Sequence, residues 1–572
     1  MVSIETAHIA TGPSERFPER RPPWTAAALL ACVALALGLR LAANGFGLPD
    51  TFEPDEPKLV NHALAFGTGD LNPHYFVYPA LQMYLLFFCY GLLYVVLRAA
   101  GSVESLEGFK LLFLSDPTVF YRVGRGLTAL SGAASVFLLF LLGRRLYGQA
   151  AVGLLAAAAL ALHPVDVRHG HYVTADVPMT TLLLLALVFL APTLERPSPA
   201  AGFRAGAAAG LATAVKYSGL AFLAPLAAAH ALAARRDPGP AVRRSLLVAL
   251  AGLALAFALA SPFSVLEWRK TLDGMRFILD VKRDGQFGIA RGSSWGTYFQ
   301  LAFLAGPLAL LSLAGLLNAL VRRTPADLLL LAFLVPYLLA VGGSQSHSPR
   351  YLVPAFPLLL LLAARWLVGL RLGARGRATV AAAALLFALG QSLGVVRDLL
   401  RPDTRQLARR WIEGHVPAGE SIALEWGGDD TVRLAETAES IEAKIRRHEQ
   451  GGTTGHSREQ IVAALRLKQK AQGNRPAYRL VQIGENRGNR LEGDGQDLDA
   501  LRRTGVGYLV TSSAALGDPR SAAFRRAYPD IAGFYDRLER EAELVRRFDP
   551  EAGASRGPTI TLWRLRAQGE GG

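Results

Sequence analysis

Two neighbouring carboxylates, Asp55 and Glu56 in the run Glu53-Pro54-Asp55-Glu56-Pro57, stand in a chain that is otherwise largely apolar. Adjacent acids repel each other and attract protons and cations, so this pair suits proton transfer or cation binding. A plainer alternative places them in the first turn of a helix, where the dipole favours negative charge and Pro57 fits. A second set lies at 163–178, with His163, Asp166, Arg168, His169, His171, Thr174, Asp176 and Pro178. Asp176 stands where an apolar run begins, which is also where an N-cap aspartate belongs. His169 and His171, with Asp55 and Asp176, could contribute to a divalent-metal site, although two histidines at i, i+2 supply no third fixed ligand. A third set ends in Arg350-Tyr351. At the edge of an apolar run Arg350 can snorkel to headgroups, or its planar fork can clamp a phosphate. Lys216, inside an apolar stretch, could act similarly as a point charge.

These groups need elements to hold them. The chain has 572 residues, of which 51% are hydrophobic. Apolar runs fall at 25–43, 80–98, 122–143, 150–163, 177–192, 205–233, 245–262, 298–320, 327–342, 351–369 and 378–396. Many approach the roughly 17–25 residues that cross a bilayer. The net charge of +15 sits largely in short clusters between them, such as Arg144-Arg145, Arg235-Arg236 and Arg322-Arg323. That is the pattern of cytoplasmic loops, not of a nucleic-acid-binding face. Both cysteines, Cys32 and Cys89, lie in apolar runs, which argues against a disulfide framework or zinc site.

The expected architecture is a polytopic α-helical membrane protein with about eleven crossings and eleven to thirteen membrane helices. Residues 1–24 form a cytoplasmic basic tail, 25–396 the membrane domain, and 397–572 an extracytoplasmic soluble α/β domain. Orientation parity favours 80–98 folding back without crossing. It also favours a break of 205–233 around Lys216-Tyr217-Ser218-Gly219, since a charge at mid-membrane is costly; the alternative is one long helix with Lys216 snorkelling. The first outer loop carries an amphipathic helix after Pro57, and 263–297 a second; both are expected to lie at the membrane interface. In the tail, 421–425, 480–483, 506–512 and 559–563 read as strands, and 405–413, 458–472 and 521–527 as helices.

Four motifs together resemble the GT-C superfamily of membrane glycosyltransferases, and within it the protein O-mannosyltransferase and aminoarabinose-lipid A transferase group. They are Asp55-Glu56 in the first outer loop, Gly-Arg-Arg-Leu-Tyr-Gly at 143–148, Thr-Ala-Asp-Val-Pro at 174–178, and Arg-Tyr-Leu-Val-Pro at 350–354. The resemblance covers about 25–396 and implies a sugar donor carried on a polyprenyl phosphate. It implies Asp55 as general base, Glu56 and Asp176 as supporting carboxylates, and Lys216 and Arg350, with Tyr351, at the donor phosphate. A divalent metal cofactor is left open, because some relatives use one and others do not.

The expected activity is therefore sugar transfer from a polyprenyl-phosphate donor to an acceptor hydroxyl on a protein, lipid or glycan, at the extracytoplasmic face of the cell (inner) membrane. Attack opposite the phosphate would invert the anomeric centre. Membrane lipids are expected partners and nucleic acid is not. The competing class is a transporter or flippase of a polyprenyl-linked or other lipid. That reading calls for repeated halves with matching broken helices, and no internal repeat is evident.

Overall fold

Three glycines four residues apart set the closest helix pair. Gly202, Gly206 and Gly210 lie in the Pro199–Val215 helix, and a Cβ on each would overlap the carbonyls of Ser245, Ala249 and Leu253 in the Pro240–Ala260 helix. In lipid, where apolar side chains gain little from meeting each other, such backbone proximity is a main source of helix association. The computed structural model describes residues 24–289, 292–304, 306–425, 431–450, 458–471, 475–487, 490–493, 495–516, 519 and 521–565. The basic tail before residue 24 and the glycine-rich stretch at 451–452 lie outside these.

Among the described residues, eight helices are long and apolar enough to cross a membrane, and Ala150–Ala161, Pro307–Arg322 and Phe356–Gly369 are apolar but shorter. Together they make the polytopic helical domain expected from the hydropathy pattern. The stretch at 205–233 is broken where its charge suggested. Pro199–Val215 stops at Lys216, whose extended backbone (φ −154°, ψ 132°) leads into a 3-10 turn, Tyr217–Phe222, and then Leu223–Arg236. The run at 298–320 is likewise two pieces, Trp295–Leu304 and Pro307–Arg322, with Gly306 at φ +62° before the second.

Leu81–Ala99 is also long and apolar enough to cross a membrane. Near the end of the first membrane helix, Asn44 donates to the Arg122 carbonyl at 3.0 Å. Arg125 donates in turn to the carbonyls of Asn44 and Phe46 at 3.0 and 2.8 Å. The Thr118–Tyr147 helix thus begins beside the point where Trp24–Leu41 ends.

The amphipathic helix after Pro54 spans Asp55–Ala65. It does not simply float its stripe on lipid: Leu59, Val60 and Ala63 are fully buried and Phe66 nearly so, in a cluster with Met83, Leu86 and Tyr90 of Leu81–Ala99. Burial of each large apolar side chain there contributes about 1.5–3 kcal/mol. The second expected amphipathic helix is Trp268–Asp284.

After the Ala374–Leu399 helix the chain forms a six-stranded sheet. Its strands run in the order Ala435–Glu436, Ala477–Ile483, Ser421–Glu425, Tyr508–Ser512, Ile560–Leu565, Ala542–Phe548. The first four are parallel, and Ile560–Leu565 runs antiparallel to both of its neighbours, Tyr508–Ser512 and Ala542–Phe548. The helices Thr404–His415, Arg458–Lys470 and Ala522–Ala527 match the expected ones closely. The strand Ala542–Phe548 and the helices Ala438–Gln450 and Pro529–Glu541 were not anticipated. This strand is an edge, half-exposed and rich in charge, so its composition does not read as a strand.

The sheet domain is fastened to the loop that carries the acids. Arg409 meets Asp50 at 2.5 Å, Gln406 donates to the Gly47 carbonyl at 2.7 Å, and Arg433 donates to Thr51 at 2.6 Å. The Arg405 guanidinium lies 3.8 Å from the centre of the Phe52 ring.

Candidate active site

The two halves of the Asp55-Glu56 pair point to different partners. Pro54, ahead of the helix, makes no side-chain cap, so both acids sit in the first turn with their carboxylates free for tertiary contacts. Glu56 turns inward and is fully buried. Both its oxygens accept from Arg125, at 2.8 Å each, and one also accepts from the Val173 backbone N–H at 2.9 Å. This fork ties the first loop to the Thr118–Tyr147 helix and to the segment leading into Asp176.

Asp55 turns toward a cluster of cations. Its Oδ2 accepts from Arg350, in a short ion pair, and from the Tyr78 hydroxyl at 3.2 Å; its Oδ1 meets Lys58 at 3.3 Å. Arg350 also reaches Glu53 at 3.3 Å. It is placed by the Pro349–Leu352 turn, before Phe356–Gly369. Lys216, freed from helical backbone by the break at its own position, donates to Asp176 at 2.6 Å. Asp176 is the first residue of Asp176–Leu190. The Lys216 ammonium lies 5.8 Å from the ring centres of both Tyr78 and Tyr351. Asp55, Glu53, Arg350, Tyr78, Lys216, Asp176 and Tyr351 thus form one continuous cluster from segments far apart in sequence.

Burial tends to raise the Asp55 carboxyl, but Arg350, Lys58 and Lys216 together hold it well below the usual carboxylate range. Glu53 behaves oppositely. Burial, offset in part by Arg350 but joined by the charges of Asp55, Glu56 and Asp176, pushes it up to about 7. Two acids two residues apart are therefore poised differently, one ionised and tied to cations, the other near neutrality.

Sequence reasoning did not single out Lys282 or Glu53. Lys282, near the end of Trp268–Asp284, lies with its ammonium 3.0 Å from the centre of the Tyr351 ring, and no carboxylate among the described residues pairs with it. Burial lowers its ammonium to about 8, against the pull of Tyr351. Burial would raise the Tyr351 phenol, but Lys282 and Arg350 outweigh it and bring the phenol to about 8. The Gln345 backbone N–H donates to the Lys282 carbonyl at 2.8 Å, which locks the helix end to the 344–350 loop. No local signal marks Lys282, because it is one of several basic residues on an amphipathic helix.

His169 and His171 are buried beside this cluster. His171 Nδ1 faces the Val167 carbonyl at 2.8 Å. Burial lowers His169 to about 3 and His171 to about 4, so both are neutral imidazoles. No group of three His, Cys, Asp or Glu side chains that could hold a metal occurs among the described residues. The physical reason is visible in the pairing: Asp55 and Asp176 each face a cation, not the histidines. The residues present therefore do not gather the expected metal-ligand set.

Residues 121–266 match the family model described as dolichyl-phosphate-mannose-protein mannosyltransferase. That stretch contains Arg125, Asp176 and Lys216 but neither Asp55 nor Arg350. No curated protein matches in sequence. The fold is similar to that of ArnT from Cupriavidus metallidurans. Its apo structure aligns with a TM-score of 0.54 at 16% identity, over 94% of this chain and 98% of that one. Its complex with undecaprenyl phosphate aligns with a TM-score of 0.52 at 16% identity, over 93% and 97%. The apo oligosaccharyltransferase of Archaeoglobus fulgidus aligns with a TM-score of 0.51 at 13% identity, over 91% of this chain and 73% of that one. At such identities the likeness is one of fold, and it runs through the membrane helices and the C-terminal sheet alike. Over residues 121–266 the chain is thus similar in sequence to that mannosyltransferase family, and over most of its length its fold is similar to those of ArnT and the archaeal oligosaccharyltransferase.

Proposed function

We propose that this protein transfers a sugar from a polyprenyl-phosphate donor to an acceptor hydroxyl, at the extracytoplasmic face of the cell membrane. The observation that carries the reading is the meeting of Asp55 and Asp176 with Arg350, Lys216 and Lys282 in one cluster, at the membrane-domain face to which the sheet domain is fastened. The similarly folded ArnT is bound to undecaprenyl phosphate, which supports a donor of that class. On this reading residues 1–24 are cytoplasmic and 397–572 extracytoplasmic.

The chemistry follows from the charges. A donor phosphate entering the cluster competes with Asp55 for Arg350 and with Asp176 for Lys216, while Lys282 has no carboxylate partner among the described residues. Once Arg350 turns to the phosphate, Asp55 loses its strongest cationic partner and becomes basic enough to take the acceptor hydroxyl proton as that oxygen attacks the anomeric carbon. The C–O bond to the phosphate breaks with its electron pair, and Arg350, Lys216 and Lys282 stabilise the departing phosphate dianion. Attack from the opposite face inverts the anomeric centre. Tyr351 supports the Lys282 ammonium through its ring. Glu56 acts as a positioning residue, holding Asp55 through the helix they share.

A second assignment of the base is favoured by Glu53, whose carboxyl at about 7 is better matched to proton transfer at neutral pH than an acid held ionised by cations. The two are separated by variants at each position.

The test is incubation of the purified full chain with a panel of polyprenyl-phosphate sugars. Consumption of one donor with release of polyprenyl phosphate is the expected result. If no donor is consumed and the protein instead moves a labelled polyprenyl lipid across vesicles, the transferase reading falls to the transporter one.

A further inference from the structure

The membrane domain has a polar cavity far from the acids. The Thr118–Tyr147 helix starts near Arg125 and Glu56 and, at 30 residues, is about 45 Å long. At its far end Arg145 and Tyr147 line a cavity of about 630 Å³, together with Arg236, Arg322, Arg365 and Glu195. Its wall is built from the ends of separate apolar helices, so these four arginines converge from distant parts of the chain.

Their hydrogen-bonding capacity is largely unspent. Arg145 donates to the Val188 carbonyl at 2.5 Å and Arg236 to the Leu194 carbonyl at 2.8 Å, out of five N–H donors on each guanidinium. Arg365 lies with its guanidinium carbon 5.3 Å from the Tyr147 ring centre, and its Nε is buried without a hydrogen-bond partner. None of the four forms an ion pair with a carboxylate among the described residues. Glu195 also lines the cavity and has an interaction of its own, and the nearby Asp327 is taken up by Tyr147 at 2.9 Å and by its own helix cap at Thr324.

Three of these arginines stand in the last turn of a helix, where a cation suits the dipole. That accounts for each singly but not for their convergence, since four guanidiniums outnumber the single Glu195 carboxylate of the lining and repel unless a further anion lies between them. The planar fork of arginine matches phosphate oxygens in particular. We propose that this cavity is a binding site for a phosphate group, borne by a lipid headgroup or by a free polyphosphate, on the face opposite the candidate active site.

Two probes distinguish these sources. The full chain in neutral detergent is titrated with phosphatidic acid against phosphatidylcholine, with native mass spectrometry counting retained lipid, and separately with inorganic pyrophosphate by calorimetry. Preferential retention of phosphatidic acid supports the headgroup, and binding of pyrophosphate alone supports the free anion. In either case Arg322→Gln and Arg365→Gln should each weaken binding roughly tenfold, the loss of charge-assisted hydrogen bonds. Arg365→Lys should retain much of it. Arg322 is exposed at the rim, so its substitution leaves packing intact and keeps the test valid should Arg365→Gln fold poorly. The proposal is overturned if neither probe binds, or if both bind the Arg322→Gln variant as they bind the natural protein.

Discussion

Glu56 and Arg125 face each other through two 2.8 Å hydrogen bonds inside the protein, although 69 residues separate them. Next to them in sequence and space, Asp55 is tied to Arg350, 295 residues away. One acid of the pair is built into the scaffold and the other is presented at the cluster of cations.

That division predicts opposite phenotypes. Glu56→Ala leaves Arg125 buried without its carboxylate and should destabilise the fold by about 3–5 kcal/mol, seen as a lower unfolding temperature and poor recovery from membranes. A fully stable Glu56→Ala protein would contradict the scaffold role.

Asp55→Asn should fold and insert normally, yet lower donor turnover by about 10²–10⁴-fold if Asp55 is the base. Should turnover survive in Asp55→Asn and vanish in Glu53→Gln, with loss of a pH transition near 7, the base is Glu53.

Glu53 also sets a pH dependence of stability. Its carboxyl titrates near 4.5 when unfolded and at about 7 in the fold. Between those values the folded state holds a proton that the unfolded chain has released, so stability falls as pH rises through that window. Glu53→Gln should flatten this slope in thermal unfolding followed from pH 4.5 to 7.

Lys282 and Tyr351 both titrate at about 8 and, being in contact, do so as a pair. Loss of the ammonium charge removes a phosphate ligand, so donor affinity should weaken as pH rises through about 8. Lys282→Met should raise the donor KM at neutral pH and abolish that dependence while leaving kcat less affected. A KM unchanged by Lys282→Met would remove Lys282 from the donor site.

Gly206 meets the backbone of Ala249 with no room for a side chain. Gly206→Val should force the two helices apart at a cost of about 1–3 kcal/mol. Because Lys216 ends that helix, activity should drop along with thermal stability, whereas Gly38→Ala, at an open position, should change neither.

Much of the architecture was legible in the residues alone. Apolar run lengths located the membrane helices, because crossing hydrocarbon demands an uninterrupted stretch of backbone hydrogen-bonded within itself. The charge of Lys216 located a helix break, because mid-membrane charge must find a partner or a turn. Ser421–Glu425 followed from its strand-like residue content, and Thr404–His415 read as helical from its own sequence. Which groups touch did not follow. Asp55 and Glu56 are chemically near-equivalent neighbours, and only the packing of Asp55–Ala65 between Leu81–Ala99 and Thr118–Tyr147 sends one to Arg125 and the other to Arg350. The same holds for Lys282 on Tyr351, and for His169 and His171, which the fold buries while Asp55 and Asp176 turn to cations instead. Periodicity and composition record how each segment meets its surroundings over a few residues; the pairing of buried charges is set by the three-dimensional approach of segments hundreds of residues apart, where burial makes the choice of partner decisive.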